Sequence, residues 1–195
     1  MAIRIRVEGL RNIQAALNRL PEATMKAATN GINRTMMAIE QHQLVEMERV
    51  LDRPSPFTLN ALRRIDASPA KPRAVLYIQP IQARYLRYAI EGGTLPVMLT
   101  PVIRNIKLNQ YGNITGKRGG LPVIARATKR FIAEIGGVYG VWQRTGRGAR
   151  GVKLLVKVER QAKRNQRWDF QGVARQVIDQ RLLRDVSDAI RGAIR

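Results

Sequence analysis

Cysteine is absent from this chain of 195 residues, so no disulfide and no zinc–thiolate site is available to it. Histidine occurs once, at His42, and ordinary transition-metal sites are not expected either. Aromatic residues make up only 5%, which leaves aliphatic side chains to fill the core that 45% hydrophobic residues permit. No apolar run approaches the roughly 18 residues that a membrane-spanning helix needs, so no membrane partner is expected. The N-terminal MAIRIRVEGL has arginines inside its short apolar run, which argues against a secretory signal.

Acidic residues are also scarce. Fourteen Asp and Glu face 35 Lys and Arg, for a net charge of +21. Such a balance favours an anionic partner, either nucleic acid or an acidic protein surface. The excess is concentrated between Arg104 and Arg167, where Glu134 and Glu159 are the only acids.

The pattern along the chain predicts an α+β protein, built as one domain over residues 1–195. A long N-terminal helix and a C-terminal helix pack on a central antiparallel β-sheet with extended loops. Ile3, Ile5 and Val7 alternate with arginines and predict a short strand. Residues 10–20 and 22–51 carry apolar residues at helical spacing, with Gly31 a weak point or kink in the longer helix and Gln43 interrupting its apolar face. Pro54 and Pro56 stop that helix, and residues 57–64 predict at most one further turn. Residues 74–79 predict a strand and 83–90 a short helix. Residues 95–106 are apolar but hold Pro96 and Pro101, which predicts an irregular extended segment. Residues 109–122 read as a loop that is mobile or ordered only by a partner. Three strands follow, over 128–135, 138–144 and 152–158. Residues 160–167 read as a basic connector, and a helix runs from Phe170 to the C-terminus.

Gly146, Gly148 and Gly151 spell G-x-G-x-x-G, a spacing that cradles phosphates. A dinucleotide site requires a helix directly after the motif, because the helix N-terminus holds the pyrophosphate. Here VKLLVKV follows, with strand alternation, so the glycines predict a β-hairpin turn instead. A kinase reading lacks H-R-D, and Asp169-Phe170 is followed by Gln171 rather than glycine. The stretch GNITGK, Gly112 to Lys117, is one residue short of a P-loop. It has Arg118 where a hydroxyl must meet magnesium. His42 reads as a helix-surface or interhelix contact. The few carboxylates fall on predicted helices, where surface ion pairs are their ordinary role. No catalytic residue, cofactor or metal is expected, and the chain is not expected to be an enzyme.

Lys117, Arg118, Arg144, Arg147, Arg150, Lys163 and Arg164 remain as candidate contacts for DNA or an acidic partner. Their contacts with phosphates would be independent of sequence and sensitive to salt. Pro54, Pro56, Phe57, Leu59 and Trp142 are the candidate interface residues. The long amphipathic helix and the apolar LPVMLTPVI give more surface than a monomer covers comfortably, which predicts self-assembly.

Several segments, in order, resemble the minor tail protein Z, or tail completion, family of tailed bacteriophages, and the small head–tail joining proteins more broadly. They are Gly9-Leu10 opening a helix, ATNGINRT from Ala28, PSPFTLNAL from Pro54, EGGT from Glu91, GVWQR from Gly140, and RNQRWDF from Arg164 before the closing helix. The resemblance spans nearly the whole chain. It carries no catalytic signature and transfers no site residue. It implies a structural virion protein, made in the host cytoplasm and placed at the tail tip or neck. There it would form a ring, usually sixfold or twelvefold, against other neck, connector or tail proteins, with DNA passing through the lumen. The alternative is a non-sequence-specific nucleic-acid-binding protein acting through its basic loops.

Overall fold

The computed structural model describes residues 4–8, 21–114, 124–127, 129–146 and 151–194. The helix expected over 10–20 lies outside them. The described residues are α+β and divide into two compact units, residues 1–91 with 166–195, and residues 92–165.

The first unit is built around α1 (Glu22–Val50), 29 residues or about 43 Å long. Its predicted apolar face is realised: Met25, Ala28, Ile32, Met36, Ile39 and Met47 are all buried. The helix runs straight into an extended Leu51, and the prolines beyond forbid its continuation. One turn, α2 (Pro56–Leu59), follows, with Ser55 accepting from the Thr58 N–H at its start. Residues 62–65 are not part of that turn. They form β2 (Leu62–Ile65), which pairs antiparallel with β3 (Arg73–Ile78); β3 also pairs with β1 (Arg4–Glu8), giving the order β1-β3-β2. Four residues are too few for a periodicity to announce a strand; the partner supplies it. Next comes α3 (Pro80–Ile90), then, after the second unit, α4 (Phe170–Ile194).

Helices α1 and α4 pack against each other, and Gly31 lies where they come closest. A methyl group there would sit 2.5 Å from Val186 Cα and 2.6 Å from the Asp185 carbonyl oxygen. Gly31 is therefore a crossing point, not a weak point. Beside it Thr35 Oγ1 donates to Asp185 Oδ2 at 3.0 Å, and Arg181 pairs with the same carboxylate at 3.3 Å. Further along α1, fully buried Gln43 accepts from Trp168 Nε1 at 2.8 Å and donates to the Phe170 carbonyl at 2.7 Å. The interruption of the apolar face at Gln43 is thus the polar tie that fixes the start of α4. Trp168 and Phe170 meet edge to face and, with Met36, Ile39, Met47, Leu76 and Ile78, form the middle of the core. Asn33 clamps the loop before β3, donating to the Ala67 carbonyl and accepting from its N–H.

The second unit is one sheet in the order β4-β7-β6-β5, comprising β4 (Gly93–Pro101), β5 (Arg130–Ile135), β6 (Val138–Arg144) and β7 (Val152–Arg164). The strands thus form two sheets rather than a single central one. Two expectations change here. Residues 93–101 form a strand despite Pro96 and Pro101: β4 is an edge strand, where proline is tolerated, and its pairing with β7 skips Pro96. The connector expected over 160–167 begins as strand, since β4 draws β7 out to Arg164.

Gly136 and Gly137, both with positive φ, make the two-residue turn between β5 and β6. Between Val141 and Trp142 the β6–β7 register shifts by one, leaving Leu155 as an extra residue in β7. The bulge lets Leu155 and Val156, though consecutive, both be fully buried with Val141, Ile106 and Ile124. It also turns carbonyls outward. Asn105 Nδ2 donates to the Leu154 carbonyl at 2.6 Å, and the Val102 N–H donates to that of Leu155 at 2.9 Å. Replacing Asn105 by alanine orphans one of them. We expect a loss of about 1–2 kcal/mol, read as faster amide exchange in β6 and β7.

Candidate basic interface

The hairpin reading of the glycine motif holds. Arg144 pairs with Val152, and the Thr145 N–H donates to the Gly151 carbonyl at 2.6 Å, so a strand follows the glycines and no helix N-terminus is present to hold a phosphate. His42 is occupied by its own helix, with Nδ1 2.8 Å from the Ala38 carbonyl. Among the described residues no three His, Asp or Glu cluster in a way that could hold a metal. No helix among them is long and apolar enough to cross a membrane.

Charge divides unevenly between the units. Residues 92–165 carry 15 Lys and Arg against two acids. Of the seven basic candidates, Lys117, Arg118, Arg147 and Arg150 lie outside the described residues. The structure does not gather the other three. Arg144 ends β6 beside the start of β7, its guanidinium 5.1 Å from the Phe131 ring. Lys163 and Arg164 are at the far end of β7, opposite Thr94 and Gly93. Eleven strand residues, about 36 Å, separate Val152 from Lys163.

β7 also carries two exposed cations that the sequence reading did not single out, Lys157 and Arg160. Lys163 and Arg164 are exposed as well. Glu159 pairs with Lys157 at 2.6 Å, and Arg160 stacks over Tyr139 at 4.9 Å. The strand pattern was legible as far as Val158. Beyond it ERQAKR has no apolar alternation, so only the pairing with β4 shows that these cations sit on a strand, divided between its two faces.

The candidate interface residues also separate. Phe57 is 55% exposed, whereas Leu59 turns inward against the core. Pro56 is exposed and Pro54 half-buried. Trp142 is half-buried on the sheet opposite Phe131, its indole N–H donating to the Ala133 carbonyl at 3.0 Å. Compared with known proteins, the chain matches no family model, no curated protein and no solved structure.

Phe57 has neighbours that the sequence reading did not include. Gln82 Nε2 donates to the Phe57 carbonyl at 3.1 Å, and Tyr85 OH lies 3.1 Å from Thr58 Oγ1. These bonds hold α2 against the first turns of α3, where Ile81 (64% exposed) and Tyr85 (41% exposed) sit one helical turn apart. The result is an exposed apolar patch of Phe57, Ile81 and Tyr85. Partial burial pushes the Tyr85 phenol above its ordinary range, and the Thr58 hydrogen bond opposes that shift only in part. A raised phenol pKa means the fold favours the neutral form. That contribution is complete below the ordinary phenol range and is lost as pH rises through the shifted value. In a spectrophotometric alkaline titration, Tyr85→Phe should remove a late-ionising component rather than an early one.

Proposed function

We propose that the chain is a non-enzymatic structural protein of the bacteriophage virion, assembling as an oligomeric ring at the head–tail interface around the DNA channel. The observation that carries this reading is the Phe57–Ile81–Tyr85 patch. It is apolar, exposed and held in place by hydrogen bonds, as expected of a surface kept for a neighbour. One of its three residues, Phe57, falls on PSPFTLNAL, one of the segments that resemble tail completion proteins. Two other such segments sit at structural joints: ATNGINRT contains the Gly31 crossing, and RNQRWDF delivers Trp168 to the core. The basic unit supplies the charge that DNA or an acidic neighbour would meet.

Negative-stain imaging of the purified chain and immunolabelling of virions test the reading. Closed rings and label at the neck or tail tip are expected, and Phe57→Asp with Ile81→Asp should disperse the rings. A monomer absent from both places would overturn the proposal. A second reading, sequence-independent nucleic-acid binding by the monomer, is favoured by the Phe131–Trp142 pair beside Arg144, which offers rings and a cation on one sheet. It predicts tight binding of DNA by the monomer, falling steeply with salt.

A further inference from the structure

The sheet of the second unit is incomplete along one line. Among the described residues β6 pairs with β7 only from Arg144 to Gly140, ending opposite Lys157, while β4 pairs with β7 from Pro101 out to Gly93, opposite Arg164. From Val158 to Arg164, therefore, β7 has a partner on one side only. Val138 and Tyr139 continue β6 in its pairing with β5 but have no partner on β7. A cleft of about 400 Å³ lies at this divergence, lined by Glu134, Tyr139, Lys157, Val158 and Arg160 among others.

An unpaired strand edge presents a row of backbone donors and acceptors, and proteins usually blunt such edges with proline or cover them. Edge strand β4 carries two prolines, Pro96 and Pro101. The open stretch of β7 contains no proline. Its one irregularity is Gln161, with φ +54°, opposite Pro96, which turns the edge midway. The charge beside it is one-sided: Arg160, Lys163 and Arg164 are exposed, and the Glu159 carboxylate is engaged by Lys157. Glu134 is the one acid lining the cleft without a described ion pair.

We propose that the β7 edge over Val158–Arg164 is a strand-addition site for an extended acidic peptide segment of a partner protein. The main chain of that segment would extend the sheet, acidic side chains on its two faces would meet Arg160 and the consecutive Lys163 and Arg164, and one apolar side chain would enter the cleft against Tyr139 and Val158. Charge alone would also admit nucleic acid. A peptide is favoured because the site combines backbone hydrogen-bonding groups with a cleft that includes Tyr139, Val138 and Val158, and a phosphate chain has no donors for edge carbonyls. The inference rests on the edge and its charge, not on ring assembly, so either reading can fail alone.

The test uses the full chain and a fluorescein-labelled decapeptide of glutamate with one central valine. Anisotropy should show saturable binding. Methylating alternate backbone nitrogens of the peptide, which preserves every charge, should weaken binding about tenfold. Arg160→Glu with Lys163→Glu should weaken it at least as much, and hydrogen exchange should show protection confined to residues 158–164 when the unmethylated peptide binds. Absence of binding would overturn the proposal. So would indifference to methylation, which marks simple charge attraction. Tighter binding of a single-stranded oligonucleotide of equal charge, with protection of the same amides, would assign the edge to nucleic acid instead.

Discussion

Gly31→Leu should prevent the first unit from folding, and Gly31→Ala should lower its stability by about 2 kcal/mol. Two effects oppose each other. Alanine improves helix propensity by about 1 kcal/mol over glycine. The new methyl, however, would lie 2.5 Å from Val186 Cα and 2.6 Å from the Asp185 carbonyl oxygen. These are backbone atoms of α4, not the ends of flexible side chains, so relief requires the two helices to move apart. That movement stretches the Thr35–Asp185 hydrogen bond and loosens the small cluster of Met25 and Ala28 with Val186 and Ile190. Overpacking of this kind costs about 1–3 kcal/mol or more and outweighs the propensity gain. Calorimetry of the purified variants checks it. An alanine variant that melts at or above the parent temperature would show that the crossing has room.

Gln43→Leu should cost about 2 kcal/mol although it replaces a polar residue in a core by an apolar one of similar size. Gln43 is fully buried, and its side-chain oxygen is the described acceptor for the buried Trp168 indole N–H, while the Phe170 carbonyl it also meets stands at the start of α4 and keeps its helical partner. Leucine therefore leaves one buried donor unsatisfied, at about 1–3 kcal/mol, against a transfer gain that is smaller. A double-mutant cycle separates the contributions. Adding Trp168→Phe removes the orphaned donor and should recover about 1 kcal/mol relative to the sum of the single variants. Strict additivity would mean that the indole finds another partner when Gln43 is gone. The exposed Glu46–Arg49 pair on the same helix makes a useful contrast. It holds the Glu46 carboxyl below its ordinary range, yet its loss should barely register, since surface pairs contribute little.

Some of the site was readable from residue order. Gly146 and Gly151 are followed by Leu154, Val156 and Val158 in alternation, and that alone excludes the phosphate loop. The basic excess of residues 92–165 is likewise a matter of counting. Its arrangement is not. Lys157, Arg160, Lys163 and Arg164 share one strand only because β4 pairs with a stretch that has no apolar alternation of its own. Phe57 joins Ile81 and Tyr85 through two hydrogen bonds between residues 25 and 27 positions apart.

The sequence by itself determined the long helix, the prolines that end it, the glycine turn of the β5–β6 hairpin and the α+β class. Each depends on local geometry: a 3.6-residue period, a missing N–H, a positive φ. Only the tertiary structure decided that Gly31 is a crossing, that Gln43 is a clamp, that two sheets form instead of one, and that β7 runs on past β6 to leave an edge unpaired among the described residues. These depend on which backbone lies opposite, and no spacing within a single segment encodes the neighbour it will meet.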